Sequence, residues 1–241
     1  MSLRLAWASD PGLERNGNED SVLVKQPHGK LDAVLIVADG MGGHAAGQVA
    51  SKIAAETAAA ELADDGDLTP EHMRDVLGRV NAAVYAAARA NSANSGMGST
   101  LVLAAIHGGR LGLLNCGDSP AYLFRAGTVK EIYQNHSWPA EQVRAGILRA
   151  EEAVNHPLKH RLARAVGIWD HVKGYATELE LEVGDVILLC SDGVEEAGIS
   201  TDELEQLLEH DDLEKYVNAV IQLARDRGAP DNVTVAVARV E

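Results

Sequence analysis

Three apolar runs of this chain end on an aspartate beside a glycine. LDAVLIVA leads into Asp39-Gly40, RLGLLNC into Gly117-Asp118, and VILLC into Ser191-Asp192-Gly193. A fourth aspartate, Asp231, stands just before the closing run NVTVAVARV. An acid that ends a buried strand lies at the edge of the core, where an ionised carboxylate is costly unless something compensates it. Glycine beside it lets the backbone turn sharply and presents a carbonyl as a further oxygen donor. One isolated Asp-Gly pair reads as a turn; several at strand ends, followed by helices or loops, read as a candidate cation site. Carboxylate, carbonyl and water donors favour hard ions such as Mg2+ or Mn2+ over zinc or copper. No thiolate or imidazole cluster accompanies these acids along the chain, and Cys116 and Cys190 lie inside apolar strands as core residues.

The elements that must position these acids follow from periodicity and punctuation. LRLAWAS, SVLVK and LDAVLIVA read as strands, the last two joined by a turn at Pro27-His28-Gly29. The Ala-rich segment from His44 to about Leu62 is a helix, stopped at Asp64-Asp65-Gly66. Thr69 caps a second helix with Pro70 at its first position and Met73, Val76, Leu77, Val80, Val84 and Ala87 on one face. TLVLAAI, RLGLLNC, AYLFR and TVKEIY, separated by glycine turns, predict an antiparallel meander. Two further strands flank Gly184-Asp185, and Ser200 and Glu203 have capping-box spacing. An amphipathic helix over Leu213 to Arg227 precedes the final strand. Hairpins with helices grouped in pairs indicate an α+β fold rather than a doubly wound parallel sheet.

Bulk properties narrow the function. The 241 residues carry 21 basic and 36 acidic side chains, a net charge of −15. That balance argues against nucleic-acid partners, whose phosphates need a basic face, and against an anionic membrane surface. No apolar stretch has the length of a membrane span or the form of a signal peptide. The expectation is a cytoplasmic protein folded as one domain over residues 1–241, and a monomer.

The ordered motifs resemble those of bacterial metal-dependent phosphatases of the type 2C (PPM) family. The resemblance rests on Arg15-Asn16-Gly17-Asn18-Glu19-Asp20, Asp39-Gly40-Met41-Gly42-Gly43-His44, Gly96-Met97-Gly98-Ser99-Thr100, Gly117-Asp118-Ser119, Ser191-Asp192-Gly193 and Pro230-Asp231-Asn232-Val233-Thr234. It implies a four-layer α/β/β/α sandwich of two mainly antiparallel sheets flanked by helix pairs. It also implies hydrolysis of phosphoserine and phosphothreonine proteins by metal-activated water attacking in line, opposed to a bacterial Ser/Thr kinase. By resemblance, Asp39 bridges two Mn2+ or Mg2+ ions, with the Gly40 carbonyl on one of them. Asp192 and Asp231 complete the other ion's shell, and Asp118 with Asp192 holds a third. Glu19 and Asp20 act through water, and Asn232 supports Asp231. Arg15 clamps the phosphate, its planar fork matching the oxygens. His44 is the candidate general acid, or else an ordinary first-turn helix residue.

Two positions depart from the family pattern: Pro120 where arginine is usual, and Asn135 where aspartate is. Both fall near a variable flap over residues 137–166, and neither is an implied metal ligand. Two other readings compete with a protein phosphatase. A catalytically dead binding relative would have lost Arg15, Asp39, Asp192 or Asp231, all present here. A small-molecule phosphoesterase would keep the same metal ligands.

Overall fold

The structure, a computed structural model, describes residues 2–63, 66–208 and 212–241, without the side chain of His44. Two antiparallel sheets pack face to face. One holds β1 (Leu3–Asp10), β11 (Val233–Val240), β10 (Val186–Cys190), β7 (Ala121–Arg125) and β8 (Thr128–Glu131), in that spatial order. The other holds β2 (Asp20–Lys25), β3 (Ala33–Met41), β5 (Leu101–His107), β6 (Arg110–Cys116) and β9 (Tyr175–Glu180). A two-residue strand, β4 (Gly98–Ser99), pairs with the end of β3.

The sequence dictates the layers through alternation. In β3, Ala33, Leu35 and Val37 face the other sheet, packing with Val102, Leu189 and Ala236. Val34, Ile36 and Ala38 point the other way, against helices α1 (His44–Leu62) and α2 (Pro70–Ala90). Because both faces are covered, the strand reads as an unbroken apolar run. The five-stranded sheet is covered on its outer face by α5 (Gly193–Glu196), α6 (Thr201–Leu207) and α7 (Leu213–Asp226). On α7 the buried face is Leu213, Tyr216, Val217, Val220 and Ala224, at helical spacing. The result is the α/β/β/α order implied by the resemblance. No helix among the described residues is long and apolar enough to cross a membrane.

Local signals correspond to the observed ends. Thr69 accepts a hydrogen bond from His72 N–H at 3.3 Å, and the Ser200–Glu203 capping box is formed. The Asp64-Asp65 stop lies outside the described residues; the helix before it ends at Leu62.

The meander is corrected. β5 and β6 form a hairpin in one sheet, but β7 and β8 form theirs in the other. The chain changes sheets between Cys116 and Ala121. Gly117 makes this possible: its φ is 112°, and a Cβ there would lie 2.7 Å from Thr100 Cβ. Likewise β9 pairs with β6, while β10 pairs with β7 and β11, so Gly184-Asp185 is also a crossing. Hairpin and crossing look alike along the chain, since both are a glycine turn between apolar runs. The Gly117 crossing is what brings Asp118 to the mouth between the two sheets.

Between β8 and β9 the chain forms two short helices, α3 (Trp138–Arg144) and α4 (Ala150–Val154), within the expected flap. A bridge between Ser137 and Leu162 closes its root, with Trp138 N–H donating to the Arg161 carbonyl at 2.6 Å.

Candidate active site

A cleft of about 1030 Å³ opens at the end of the sandwich where β3, β6 and β10 stop and β11 starts. Asp39, Asp118, Asp192 and Asp231 all line it, as do Arg15, Glu19, Gly40 and Asn232. Four acids separated by up to 192 positions along the chain therefore meet in one place (231 minus 39).

Asp39 is held by its backbone. Its N–H donates to Thr100 Oγ1 at 2.9 Å, and its carbonyl accepts from Thr100 N–H at 2.8 Å and Ser99 Oγ at 2.9 Å. Thr100 is fixed in turn by Ser119 Oγ at 2.7 Å. Gly40 is obligatory on packing grounds, because a Cβ there would sit 2.1 Å from the Gly47 carbonyl oxygen. Asp192 follows β10 and begins α5, and Asp118 is buried at the sheet crossing.

The electrostatics of this cluster are unfavourable as it stands. Burial pushes Asp39 and Asp192 well above the ordinary carboxylate range, and their negative neighbours push them further. Burial, with the charges of Glu195 and Glu196, raises Asp118 to about 7. Asp20 opposes Asp39 across the β2–β3 ladder and is raised to about 6, chiefly by burial. One Asp20 oxygen accepts from Ser191 Oγ at 2.8 Å; the other, Oδ1, is buried without a hydrogen-bond partner. Among the described residues no lysine or arginine forms an ion pair with Asp39, Asp118 or Asp192. Buried like charges, one of them with an orphaned oxygen, call for cations, and the donors are hard oxygens. The residues fit a centre of hard divalent ions such as Mn2+ or Mg2+.

Arg15 reaches the cluster from the N-terminal loop, with Nη2 2.6 Å from Asp231 Oδ2. Asn232 touches Asp231 only through its backbone, donating its N–H to Oδ1 at 2.7 Å. Its side chain does something else. Oδ1 accepts from Glu19 N–H, and Nδ2 donates to the carbonyls of Pro11 and Gly17, all at 2.8 Å. The buried Asn232 amide thus pins the loop that carries Arg15 and Glu19. Replacing Asn232 with alanine leaves one N–H and two carbonyls without partners. A loss of about 2–3 kcal/mol in unfolding free energy is expected, measured by urea denaturation. Loss of the same size in an Arg15→Ala protein, where that staple is intact, would show the effect is not the staple.

His44 starts α1 directly after Gly42 and Gly43, both at positive φ. Its side chain lies outside the described residues. The two departures sit where the flap meets the sheets. The Pro120 carbonyl accepts from Cys190 N–H at 3.1 Å, joining β7 to β10. Asn135 Oδ1 accepts from Ser137 N–H at 2.8 Å, and Ser137 caps α3. Between them, buried His136 accepts from Gly117 N–H through Nδ1 at 3.2 Å; burial lowers its pKa to about 4, so the ring is neutral.

Sequence reasoning missed two contributors. His160, on the flap, brings an imidazole within 2.5 Å of Glu196 Oε1, beside Asp192. At this edge of the cleft a ring nitrogen of His160 therefore stands beside the carboxylate oxygens. The four-residue spacing from Asp192 to Glu196, one turn of α5, was the available signal. Asn81 on α2 is buried, accepts from Gly167 N–H at 2.8 Å and donates to the Trp169 carbonyl at 3.0 Å, setting the cleft wall.

Comparison with known proteins agrees with this geometry. The Protein phosphatase 2C family profile matches residues 15–237. The serine/threonine protein phosphatase PstP of Mycobacterium tuberculosis is 38% identical over 247 residues; they include all of this chain but 45% of PstP, so the chain spans about half the length of that relative. The serine/threonine phosphatase stp of Listeria welshimeri is 33% identical, with 95% of this chain and 92% of that protein aligned. Among solved structures, the catalytic domain of PstP in complex with two manganese ions superposes with a TM-score of 0.85 at 37% identity, over 99% of each chain. With nearly the whole chain matched, and the strand-end acids gathered in one cleft, the chain belongs to the protein phosphatase 2C family.

Proposed function

We propose that the protein is a Mn2+- or Mg2+-dependent phosphatase of phosphoserine and phosphothreonine proteins, opposing a Ser/Thr kinase, and that residues 1–241 act as one catalytic unit. The observation that carries the reading is the convergence of Asp39, Asp118, Asp192 and Asp231 in one cleft, with no lysine or arginine ion-paired to the first three among the described residues. Hard divalent ions bound there supply positive charge for the phosphoryl oxygens and acidify water near neutral pH. The protein's own groups do the rest.

Asp39, Asp192, Asp231 and the Gly40 carbonyl are the proposed ligands of two ions, with Asp118 and Asp192 at a third. Glu19 and Asp20 orient the site through water; Ser191 already fixes one Asp20 oxygen. Arg15 holds a phosphoryl oxygen through the guanidinium donors that do not face Asp231, and the Asn232 staple keeps its loop in place. Water attacks phosphorus opposite the seryl or threonyl oxygen, so no nucleophilic side chain is needed. His44, at the first position of α1, is the proposed proton donor to the leaving alkoxide.

The test is hydrolysis of p-nitrophenyl phosphate and of phosphoserine and phosphothreonine peptides with Mn2+, with and without chelator. Chelator-sensitive turnover that favours phosphopeptides over nucleotides and sugar phosphates is expected. Full activity in chelator would overturn the metal reading, and a preference for small phosphates would overturn the protein substrate.

A further inference from the structure

The cleft contains one cation that no acid claims. Arg15 pairs with Asp231 and His160 with Glu196, but the guanidinium of Arg161 forms no ion pair or hydrogen bond among the described residues. The backbone beneath it is fixed: Arg161 N–H donates to the Leu158 carbonyl at 3.0 Å, and its carbonyl accepts from Trp138 N–H at 2.6 Å. Trp169 lines the same cleft and is 48% exposed, although an indole is mostly apolar. Its backbone is held too. Asn81 binds the Trp169 carbonyl and Gly167 N–H, and a Cβ on Gly167 would lie 2.3 Å from Val84 Cγ1. Ile168 packs so closely on Gly98 that a Cβ there would be 2.6 Å from its Cδ1. Val166 and Ser99 exchange both backbone hydrogen bonds, at 2.8 and 3.0 Å, and Ser99 Oγ donates to the Asp39 carbonyl. The loop bearing Trp169 is therefore tied to the strand end that bears Asp39.

Tryptophan and arginine are the residue types that most often carry binding energy at interfaces, and here both stand on one wall of the cleft on fixed backbone. In a protein of net charge −15 an arginine has acids on many sides, yet none among the described residues pairs with Arg161. The acids at the centre are spoken for by the proposed ions, so the free charge on this wall is positive. We infer that Arg161 and Trp169 form a subsite for the peptide flanking the phosphorylated residue. Arg161 pairs with a carboxylate side chain of the substrate, and Trp169 packs against the apolar part of the same segment. The inference rests on the protein-phosphatase reading and narrows its substrates to those with an acidic residue near the phosphoserine or phosphothreonine. On the other side of His160, the adjoining cavity of about 520 Å³ is lined by Glu131 and Glu195 against Lys159. An acid is therefore favoured on one flank of the phosphorylated residue and not on both.

The experiment is kcat/KM with Mn2+ for phosphoserine peptides that carry Asp, Ala or Lys on one flank of the phosphorylated residue or on the other. Ratios are taken within each protein, so a general change in activity cancels. Wild type is expected to favour Asp over Lys by about three- to tenfold on one flank, the size of an exposed attractive pair set against a repulsive one. The preference should shrink in about 0.5 M salt. Arg161→Ala should abolish it, and Arg161→Glu should invert it toward Lys; the exposed side chain can be changed while the backbone bonds of residue 161 remain. Trp169→Ala should raise KM for all the peptides by about threefold or more and keep the Asp-to-Lys ratio. An unchanged KM in that variant would take the tryptophan out of the subsite. A wild type that hydrolyses the peptides without distinguishing Asp from Lys, or an Arg161→Glu protein that keeps the wild-type preference, would overturn the subsite and leave the phosphatase reading in place. Hydrolysis of p-nitrophenyl phosphate with none of any phosphopeptide would overturn the protein substrate and the subsite together.

Discussion

Replacing Asp39 with alanine lowers Mn2+-dependent hydrolysis of p-nitrophenyl phosphate by at least about a thousandfold, on the order of 4 kcal/mol in the barrier. The expectation follows from where Asp39 stands. Its backbone is locked to Ser99 and Thr100, so the carboxylate is aimed into the cleft by the sheet. The carboxylates of Asp20, Asp118, Asp192 and Asp231 all act on it electrostatically, which puts it at the centre of the negative cluster. Removing it takes a charge from the middle of any ion pair bound there. The fold should survive, because the locking bonds are made by backbone atoms that alanine keeps. Metal-free melting of the variant checks that point, and steady-state kinetics at saturating Mn2+ checks the rate. A kcat within about tenfold of wild type would remove Asp39 from the catalytic centre. Asp39→Asn is the companion variant, because it keeps the shape and loses only the charge.

Much of this site was legible in the chain because three of its acids stand where apolar strands end and the fourth, Asp231, just before one begins. Asp39, Asp118, Asp192 and Asp231 stand beside apolar runs whose alternation fixes which end of the sandwich they occupy. The helices were legible from their caps, as at Thr69 and Ser200. What could not be read was which strands pair. The turn at Gly108-Gly109 closes a hairpin, while Gly117-Asp118 and Gly184-Asp185 carry the chain between sheets, yet all are glycine turns between apolar runs. The difference lies in tertiary contacts, such as the lack of room for a Cβ beside Thr100, and no local propensity records it. His160 was hidden for a related reason. It sits in a segment of short helices and turns with no period, and it meets Glu196 only because the flap folds back over α5. Asn232 supports Asp231 through its N–H, as expected; what the chain did not reveal is that its side-chain amide serves the loop at Pro11, Gly17 and Glu19.

The same crowding of acids predicts an inverted pH dependence for the metal-free protein. A carboxylate whose pKa is raised on folding binds more protons in the folded state, so stability falls as pH rises from its unfolded to its folded value. Asp118 has an ordinary value of 3.8 and a folded value of about 7, and Asp20 a folded value of about 6. In chelator, the melting temperature should therefore decline as pH rises from about 4 to about 7. Asp118 alone contributes a penalty on the order of 4 kcal/mol by about pH 8. Asp118→Asn removes that charge, so the chelated variant should be more stable than wild type at about pH 8 and nearly equal to it below about pH 4. Adding Mn2+ should reverse the trend, because ions bind the deprotonated carboxylates and so stabilise the folded state more at higher pH. Calorimetric melts across this range, with and without Mn2+, read both effects. A chelated wild type whose stability rises steadily from about pH 4 to about pH 7 would mean that these acids find their compensation within the protein. The cleft would then have no need of cations, and the case for a metal centre would lose its physical basis.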